Sequence, residues 1–216
     1  VVSRDFSGQR FGQYKLSELV GQGGMGQVYR AHRVDGYFEQ QVAVKVLPDL
    51  TKLLASDAYE RFRNEMNLMG RLQHPHIAQI FDAGKTQDET AYLVMEWVEG
   101  SNISQWCRER TLSLKARLAL WLQVADAVQA AHAAFIIHRD IKPANVLIDK
   151  TNGVKVLDFG VAQSIAEAEQ SAVDGFVHQY SRWYSQYYAS PEQLSGAYVG
   201  TASDQYQLCL LYTSDA

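Results

Sequence analysis

The sequence is poor in cysteine and contains neither a basic cluster nor a long apolar run. Its two cysteines among 216 residues, Cys107 and Cys209, match neither a metal-binding spacing nor a disulfide framework, which favours a reducing, intracellular compartment. A formal net charge of −4 without a basic block argues against nucleic acid as a partner. No apolar stretch reaches the roughly 20 residues of a bilayer span, and no charged and apolar leader opens the chain.

The composition is that of an ordinary globular protein, with 47% hydrophobic and 20% charged residues. Disordered chains are poorer in apolar residues and more strongly charged. Collagen-like, low-complexity and disulfide-stapled chains are therefore excluded, and no internal repeat indicates a repeat architecture.

Short strand-like segments fill most of the first hundred residues, and helical patterns follow. One helix interrupts the strands between Asp57 and Leu72, and His74-Pro75 ends it. Two further helices are predicted from Ser101 to Arg110 and from Leu114 to Ala134. The last of these is apolar nearly all round, so we expect it to be buried on most sides. The predicted strands are Tyr14 to Val20, Gln27 to His32, Gln41 to Leu47, Ile77 to Ala83 and Tyr92 to Glu96.

A glycine-rich segment separates the first two predicted strands. Glycines let a backbone approach phosphate oxygens and offer them N–H donors. Because a strand and not a helix is expected after the glycines, the pattern differs from a Rossmann fingerprint and indicates a hairpin with a nucleotide beneath it. A glycine-rich turn without a ligand is the alternative. The G-x-G-x-x-G-x-V pattern comprises Val20, Gly21, Gln22, Gly23, Gly24, Met25, Gly26, Gln27 and Val28.

A lysine, Lys45, lies inside an otherwise apolar strand that includes Ala43. Burying its charge is costly unless anions meet it, and a phosphate together with a carboxylate would do so. Glu65, on the inner face of the predicted helix, is the natural carboxylate. The alternative is a lysine that reaches solvent from an edge strand and a solvated helix glutamate.

A third motif follows the long apolar helix. It contains His138-Arg139-Asp140, then Asn145, and later Asp158-Phe159-Gly160 after an apolar segment. The side chains of Asn145 and Asp158 offer oxygen ligands that can share hard cations such as Mg²⁺. The alternative for Asp158 is an ordinary turn aspartate, which the upstream Asp140 and Asn145 disfavour.

In this order, the glycine loop, lysine strand, helix glutamate, His-Arg-Asp loop and Asp-Phe-Gly resemble the eukaryotic-like (Hanks-type) protein kinases. Gly-Gly-Met-Gly in the loop and Lys142 after Asp140 resemble the bacterial serine/threonine branch of that family. The resemblance implies an α+β, bilobal fold, with a small β-sheet N-lobe carrying one helix and a larger, mainly helical C-lobe. The expected divisions are an N-terminal flank at 1–13, the N-lobe at 14–95, the hinge at 96–100, a partial C-lobe at 101–208 and a non-native tail at 209–216.

The resemblance also implies catalytic roles. The glycine loop would cover the ATP phosphates, and Lys45, steadied by Glu65, would hold the α- and β-phosphates. Asp140 would accept the proton of the substrate hydroxyl, and Lys142 would neutralise charge on the moving γ-phosphoryl group. The Mg²⁺ ligands would be Asn145 and Asp158.

The adenine contacts implied by the resemblance are Ala43, Leu147 and the backbone of a hinge from Glu96 to Val98, next to Met95 as gatekeeper. An apolar column that fixes the helix, the metal loop and the catalytic loop together is also expected. Its members would be Met69, Ile80, His138 and Phe159.

The segment from Asp158 to Glu192 departs from the family pattern. It closes with Ala189-Ser190-Pro191-Glu192, similar to the family's Ala-Pro-Glu. However, Tyr184-Ser185-Gln186 stands where Gly-Thr-Pro is usual, so the small glycine and the rigid proline are missing from the expected docking region. Candidate phosphorylation sites are Ser164, Ser171, Ser181 and Ser185, of which Ser171 or Ser181 is preferred.

The C-terminal residues resemble the start of the long central helix of the C-lobe, in which Asp204 would anchor the His-Arg-Asp backbone. The last eight residues, 209–216, match a translated sequencing adapter, and a real continuation of the helix is the alternative. We therefore expect a catalytic domain truncated in its C-lobe. Such a fragment would leave apolar faces of Leu118, Leu122 and Ala125 uncovered and would be poorly stable and inactive.

Together these patterns predict an ATP- and Mg²⁺-dependent protein serine/threonine kinase of bacterial signalling, with ATP and Ser/Thr-containing proteins as partners. The altered Tyr184-Ser185-Gln186 leaves open a nucleotide-binding pseudokinase or scaffold module, and a small-molecule kinase of similar fold is a third reading. We expect a cytoplasmic domain with no membrane segment in this chain. A membrane anchor in a further C-terminal segment stays open.

Overall fold

The computed structural model describes residues 4–23, 26–47, 64, 66–159 and 187–214. The chain divides into two compact units. The first comprises Val1–Gly70 and Gln79–Trp97, and the second comprises Arg71–Ala78 and Val98–Ala216. The boundary after Trp97 falls within the predicted hinge at 96–100.

The first unit is built on an antiparallel sheet in the order β1-β2-β3-β4-β6-β5. β4 is buried along almost its whole length, because it lies in the interior of the sheet between β3 and β6. The strands are β1 (Arg10–Phe11), β2 (Tyr14–Gly23), β3 (Gly26–Arg33), β4 (Gln41–Leu47), β5 (Ile80–Lys85) and β6 (Ala91–Glu96).

Aromatic residues close the core on one face of this sheet. Phe6 and Phe11 meet edge to face with ring centroids 5.6 Å apart, and Phe11 meets Tyr92 in the same way at 5.4 Å. Tyr29 is fully buried, and its hydroxyl oxygen accepts the backbone N–H of Phe6 at 3.1 Å. Phe6 and Phe11, which fall within the predicted N-terminal flank at 1–13, are therefore part of the core of the first unit. The two-residue β1 was too short to be predicted.

Five strands were predicted, and all five are present. Gln41–Leu47 matches its prediction, and the other four differ at one or both ends. One difference concerns Ile77, which was expected to begin the fourth predicted strand. Ile77 instead forms an isolated parallel bridge to Val156, and the Ala78 N–H donates to the Val156 carbonyl at 2.9 Å. The prediction was wrong there because the apolar run continues across the boundary between the two units.

The predicted helix from Asp57 to Leu72 is described only in part. Residue 64 and residues 66–71 are helical, and the helix has ended before His74 as expected. Met66 and Met69 are buried. Residues 57–63 and Glu65 lie outside the described residues.

The second unit combines a three-stranded antiparallel sheet, in the order β7-β8-β9, with helices. A 3₁₀ turn at Pro143–Asn145 leads directly into β8. The elements are β7 (Gly100–Asn102), α1 (Ile103–Glu109), α2 (Leu114–Ala133), β8 (Val146–Asp149), β9 (Val154–Val156), α3 (Pro191–Ser195) and α4 (Thr201–Ser214).

Side-chain caps set the starts of the first two helices. The Asn102 side chain accepts the Gln105 N–H at 2.9 Å, and the Ser113 hydroxyl accepts the Ala116 N–H at 3.3 Å. The predicted start of α1 at Ser101 was therefore two residues early, since Ser101 pairs with β8 instead. The predicted range of α2 is confirmed to within one residue.

The burial of α2 differs from the prediction. One face, which includes Leu120, Val124 and Val128, is buried, whereas Leu114 and Leu122 are exposed among the described residues. Leu118 and Leu122, two of the three residues whose apolar faces were expected to be uncovered, are exposed, and the third, Ala125, is half-buried.

α4 runs through Leu208 without a break, and Leu211 is buried. The indole Nε1 of Trp121 on α2 donates to the Leu208 carbonyl at 3.0 Å. The assignment of 209–216 as a non-native tail stays a prediction. None of the helices in the described ranges combines the length and the apolarity needed to cross a bilayer.

Candidate functional site

The glycine-rich segment forms a β-hairpin, as predicted. Gly23 at the end of β2 pairs with Gly26 at the start of β3, and the connecting Gly24 and Met25 lie outside the described residues. Gly26 has a φ of 131°, and a Cβ on it would collide with the carbonyl oxygen of Val46. A Cβ on Gly23, in contrast, would meet no atom within 4 Å. Gly26 is thus required by the fold, while Gly23 leaves the backbone open to a ligand.

The residues that flank this hairpin differ in their exposure. Val20 is exposed, Gln27 is buried, and Val28, which faces Gly21 across the strands, is half-buried. Gln22 pairs with Gln27. Gln27 packs into the sheet, whereas the exposed Val20 and the half-buried Val28 are the apolar groups that this segment presents to its surroundings.

Lys45 is 9% exposed in the middle of β4, where it pairs with Val28 on β3 and Leu93 on β6. It does not reach solvent from an edge strand, so that part of the alternative is wrong. Its predicted partner Glu65 lies outside the described residues, and the ion pair between them stays a prediction. Ala43 on the same strand is buried and pairs with the buried Met95.

The predicted hinge begins at the end of β6. The Glu96 N–H donates to the Gln79 carbonyl at 2.8 Å, and the Gln79 N–H donates to a carboxylate oxygen of Glu96 at 3.2 Å. The guanidinium of Arg30 lies over the Trp97 ring, 5.3 Å from its centroid. These contacts fix the direction of the chain at Glu96. The backbone N–H of Glu96 is already hydrogen-bonded to Gln79 within the first unit. Val98 is the first hinge residue of the second unit, and it is half-buried.

Two predicted polar residues of the second unit, Lys142 and Asn145, contact Asp140, which is 6% exposed. The Lys142 ammonium lies 2.6 Å from Oδ2 of Asp140. The Asn145 side-chain amide donates to the Asp140 carbonyl at 2.8 Å and to Oδ2 at 3.1 Å. These contacts use Oδ2 and the backbone of Asp140, and Oδ1 takes part in none of them. Leu147 follows on β8, where it is half-buried.

The backbone just before Asp140 is held by a buried carboxylate. Asp204 on α4 accepts the His138 N–H at 2.8 Å through Oδ2 and the Arg139 N–H at 2.7 Å through Oδ1. Nε2 of His132 lies 2.7 Å from Oδ2 of Asp204. The predicted anchoring of the His-Arg-Asp backbone by Asp204 is therefore present. His132 was missed, because a single histidine on an apolar helix gives no sequence signal of its own.

His138 connects this loop to the Asp-Phe-Gly segment. A carbonyl can only accept, so Nε2 of His138 carries the proton and donates to the Leu157 carbonyl at 2.9 Å. Its Nδ1 then accepts the Asp140 N–H at 3.3 Å. The ring centroids of His138 and Phe159 are 4.6 Å apart. The contact between His138 and Phe159 in the predicted apolar column is thus present. Met69 and Ile80 belong to the first unit, and the complete column stays a prediction.

The residue at the start of Asp-Phe-Gly adopts an unusual backbone conformation. Asp158 has a φ of 56°, in the left-handed region that a non-glycine residue rarely occupies. The preceding Leu157 donates its N–H to the Asn145 carbonyl at 2.8 Å. The backbone of Asn145, one predicted metal ligand, is therefore hydrogen-bonded to Leu157, the residue before the other predicted ligand, Asp158. Among the described residues, no three His, Cys, Asp or Glu side chains cluster as a metal site.

The comparison with known protein families decides the classification. Residues 14–214 match the family model described as the protein kinase domain. The chain belongs to the protein kinase family. The α+β, two-lobed fold inferred from the motifs is the fold of this family.

Curated relatives of this kinase domain carry serine/threonine-protein kinase names. The chain is 41% identical over 204 residues to the serine/threonine-protein kinase PknA of Mycobacterium tuberculosis, covering 91% of this chain and 45% of that relative. It is 39% identical over 211 residues to a probable serine/threonine-protein kinase PknB of Corynebacterium glutamicum, covering 93% and 31%. A probable serine/threonine-protein kinase of Clostridium perfringens is 36% identical over 197 residues, covering 91% and 27%. The chain spans less than half the length of these relatives.

The last residues of the expected activation segment, Ala189 to Glu192, lead into α3. Ser190 and Gln193 form a reciprocal capping box at the start of α3, and Gly196 ends the helix in the left-handed conformation. The Ser203 hydroxyl donates to the Glu192 carboxylate and lowers the pKa of that carboxyl below its usual value. Tyr184-Ser185-Gln186 and the candidate phosphorylation sites Ser164, Ser171, Ser181 and Ser185 lie outside the described residues.

Proposed function

We propose that the protein transfers the γ-phosphate of ATP to serine or threonine hydroxyls of protein substrates, with Mg²⁺ as the cofactor ion. The observation that carries the proposal is the convergence of Lys142 and Asn145 on the shielded carboxylate of Asp140. Membership of the protein kinase family and the names of the relatives support the same reaction. The phosphoryl group loses its bond to the bridging oxygen of ADP as the substrate hydroxyl oxygen bonds to it.

Asp140 is proposed to orient the substrate hydroxyl and to take its proton. Its Oδ2 is engaged by Lys142 and Asn145, so we assign Oδ1 to the hydroxyl. A carboxylate held by a cation and an amide keeps one orientation, and holding reactants in position supplies much of the rate in phosphoryl transfer. Lys142, already next to Oδ2, is proposed to neutralise charge on the phosphoryl group in the transition state.

The donor chemistry of the second unit fits a magnesium ion. Asn145 uses its amide nitrogen on Asp140, so its side-chain oxygen takes no part in those bonds. Together with the carboxylate of Asp158 it offers two hard oxygen ligands, and Mg²⁺ in proteins commonly combines one or two such groups with substrate phosphates and water. When bound, the ion would neutralise phosphate charge. Asn145 and Asp158 are the residues proposed to hold it.

The first unit is proposed to supply the nucleotide contacts. The hairpin of Val20 to Val28 has the open backbone at Gly23 that approach to a phosphate requires. Lys45, shielded inside the sheet, is suited to the α- and β-phosphates, and Glu65 remains its proposed partner. Ala43, Leu147 and the backbone of Glu96 and Val98 are the proposed adenine contacts. We also propose a cytoplasmic location for this domain.

A nucleotide-binding pseudokinase is the second candidate, favoured by Tyr184-Ser185-Gln186 in place of the usual docking sequence. One experiment separates the two. The full-length protein is incubated with Mg²⁺, γ-labelled ATP and a mixture of protein substrates, and the labelled amino acids are identified after hydrolysis. Label on phosphoserine or phosphothreonine is expected.

Nucleotide binding without any labelled protein would contradict the kinase function and support the pseudokinase. A parallel reaction with amino-alcohol and aminoglycoside acceptors completes the design. Label that enters those acceptors and no protein would indicate a small-molecule kinase instead.

A further inference from the structure

Two buried glutamines form a pair that connects α3, α4 and the catalytic loop. Gln193 is 5% exposed and Gln207 is 1% exposed. The Gln207 side-chain nitrogen donates to the Gln193 side-chain oxygen at 2.9 Å. Gln193 is fixed from the other side, because its oxygen accepts the Ser190 N–H at 2.9 Å. Neither glutamine was identified from the sequence.

Both glutamine amides bind the backbone that flanks Asp140. The Arg139 carbonyl accepts the Gln193 amide at 2.7 Å and the Gln207 amide at 3.0 Å. The Gln207 side-chain oxygen accepts the Ile141 N–H at 2.7 Å. The Arg139 carbonyl belongs to the peptide group before Asp140 and the Ile141 N–H to the one after it. The pair therefore restrains both backbone dihedral angles of Asp140.

The hydrogen-bonding capacity of the pair permits only one arrangement. Gln207 uses both of its amide protons, on Arg139 and Gln193, and its oxygen on Ile141. Rotating the amide by half a turn would place its nitrogen against the Ile141 N–H, donor against donor, and its oxygen against the Arg139 carbonyl. Buried donors and acceptors without hydrogen-bond partners raise the free energy of the folded protein, so the two glutamines keep this one arrangement as a rigid unit.

This rigidity coincides with backbone strain. Arg139 has a φ of 69°, which a non-glycine residue keeps only where the surroundings over-determine it. Its N–H is held by Asp204 and its carbonyl by both glutamines. The strained residue thus has hydrogen bonds on both of its backbone groups, one set from α4 alone and the other shared between α3 and α4.

We propose that Gln193 and Gln207 are positioning residues for phosphoryl transfer. Through the Arg139 carbonyl and the Ile141 N–H they set the orientation of Asp140, and they make it depend on α3, the helix that closes the activation segment. A displacement of α3 would therefore reorient Asp140 without altering the first unit. The inference rests on the proposed kinase function.

The test compares Gln193→Met and Gln207→Met in the full-length protein, because methionine keeps the side-chain length and removes the hydrogen bonds. The matched control is Gln123→Met, which removes a single bond to the Val154 N–H in the same unit. ATP affinity and binding stoichiometry are measured first, and kcat is then expressed per nucleotide-binding site, which corrects for misfolded protein. Each of the two variants is expected to lower kcat at least about tenfold with ATP affinity within about twofold.

The double variant tests whether the pair acts as one unit. Because the two amides share partners, the kcat of the double variant is expected to be close to that of the less active single variant. It should not fall by the product of the two single-variant reductions in kcat. If Gln207→Met does not fold, Gln193→Glu provides the same test, since it keeps the acceptor for Ser190 and removes the donor to Arg139. Gln123→Met is expected to leave kcat unchanged.

The outcomes separate this inference from the proposed function. Unaltered kcat per site in both glutamine variants, even with lower thermal stability, would show a purely structural role and overturn the inference alone. Equal losses in Gln123→Met would do the same. Absence of phosphoryl transfer by the unaltered protein would overturn the proposed function, and the inference with it.

Discussion

The carboxylate of Asp204 holds the strained backbone of Arg139, accepting its N–H at 2.7 Å in a site closed to solvent. The same carboxylate accepts the N–H of His138 and contacts the ring of His132. One side chain of α4 thus satisfies two backbone donors, one of them in the buried residue His138 and the other in the half-buried residue Arg139. The loop that carries Asp140 depends on it.

Replacing Asp204 should therefore destabilise the protein strongly. Asp204→Ala leaves the N–H groups of His138 and Arg139 without this acceptor, and we expect a loss of about 3 kcal/mol or more in the free energy of unfolding. Asp204→Asn keeps one acceptor oxygen and should lose less. Denaturant titration of the full-length protein measures both.

The control for this prediction is Asp126→Ala on α2. Its carboxylate is largely exposed and lies 3.3 Å from the His74 ring, so its removal should cost less than about 1 kcal/mol. Similar losses for the Asp204 and Asp126 variants would show that Asp204 does not anchor the loop.

The two glycines that face each other in the glycine hairpin should respond differently to substitution. Gly26→Ala places a methyl group against the Val46 carbonyl and strains a positive φ, so we expect a loss of about 2–4 kcal/mol. Gly23→Ala meets no neighbour and should change stability by less than about 1 kcal/mol. Instead, it should weaken ATP binding.

Thermal unfolding and nucleotide titration of the two variants check this pair of expectations. Equal stability of Gly23→Ala and Gly26→Ala would contradict the hairpin geometry. Unchanged ATP affinity in Gly23→Ala would remove the reason for assigning this hairpin to the phosphates.

The contact between Ser203 and Glu192 predicts a pH dependence of stability. The Ser203 hydroxyl lowers the pKa of Glu192 in the folded protein, so folding favours the ionised carboxylate. This contribution is complete above the pKa of the unfolded chain, near 4.5, and is lost as the pH falls through the lower pKa of the folded protein. Ser203→Ala should therefore be less stable than the unaltered protein at pH 7, and the gap should narrow below pH 4.

Unfolding free energies at several pH values between 3 and 7 measure that gap. A gap that stays constant over this range would show that the ionisation of Glu192 is not coupled to folding. Ser195→Ala serves as the control, because its hydroxyl donates to the Glu192 backbone carbonyl and not to the carboxylate.

Much of the fold could be predicted because its signals are local. β4 and α2 are long, strongly patterned segments, and their bounds are confirmed to within a residue. The ends of β5 and α1 were misplaced because long-range pairing decided them. Ile77 pairs with Val156, and Ser101 pairs with Ile148, and neither partner is visible from the local pattern.

The candidate site divides in the same way. Asp140, Lys142 and Asn145 were found because fixed spacings within one loop carry them, and the structure brings them together. Gln207 was missed because its importance depends on a backbone carbonyl and an N–H far away in the sequence. Hydrogen bonds to backbone atoms leave no spacing pattern in the sequence. The side chains that support the loop through such bonds therefore could not be predicted from residue types.

The central claim is that the shielded carboxylate of Asp140 acts directly in phosphoryl transfer. Asp140→Asn keeps the size of the side chain and an oxygen for Lys142 and Asn145, but it cannot take a proton. The decisive measurement is kcat for phosphoryl transfer to protein by this variant, with ATP affinity measured alongside. A fall in kcat of about a hundredfold or more with ATP affinity within about threefold is predicted. A kcat close to that of the unaltered protein would contradict the account.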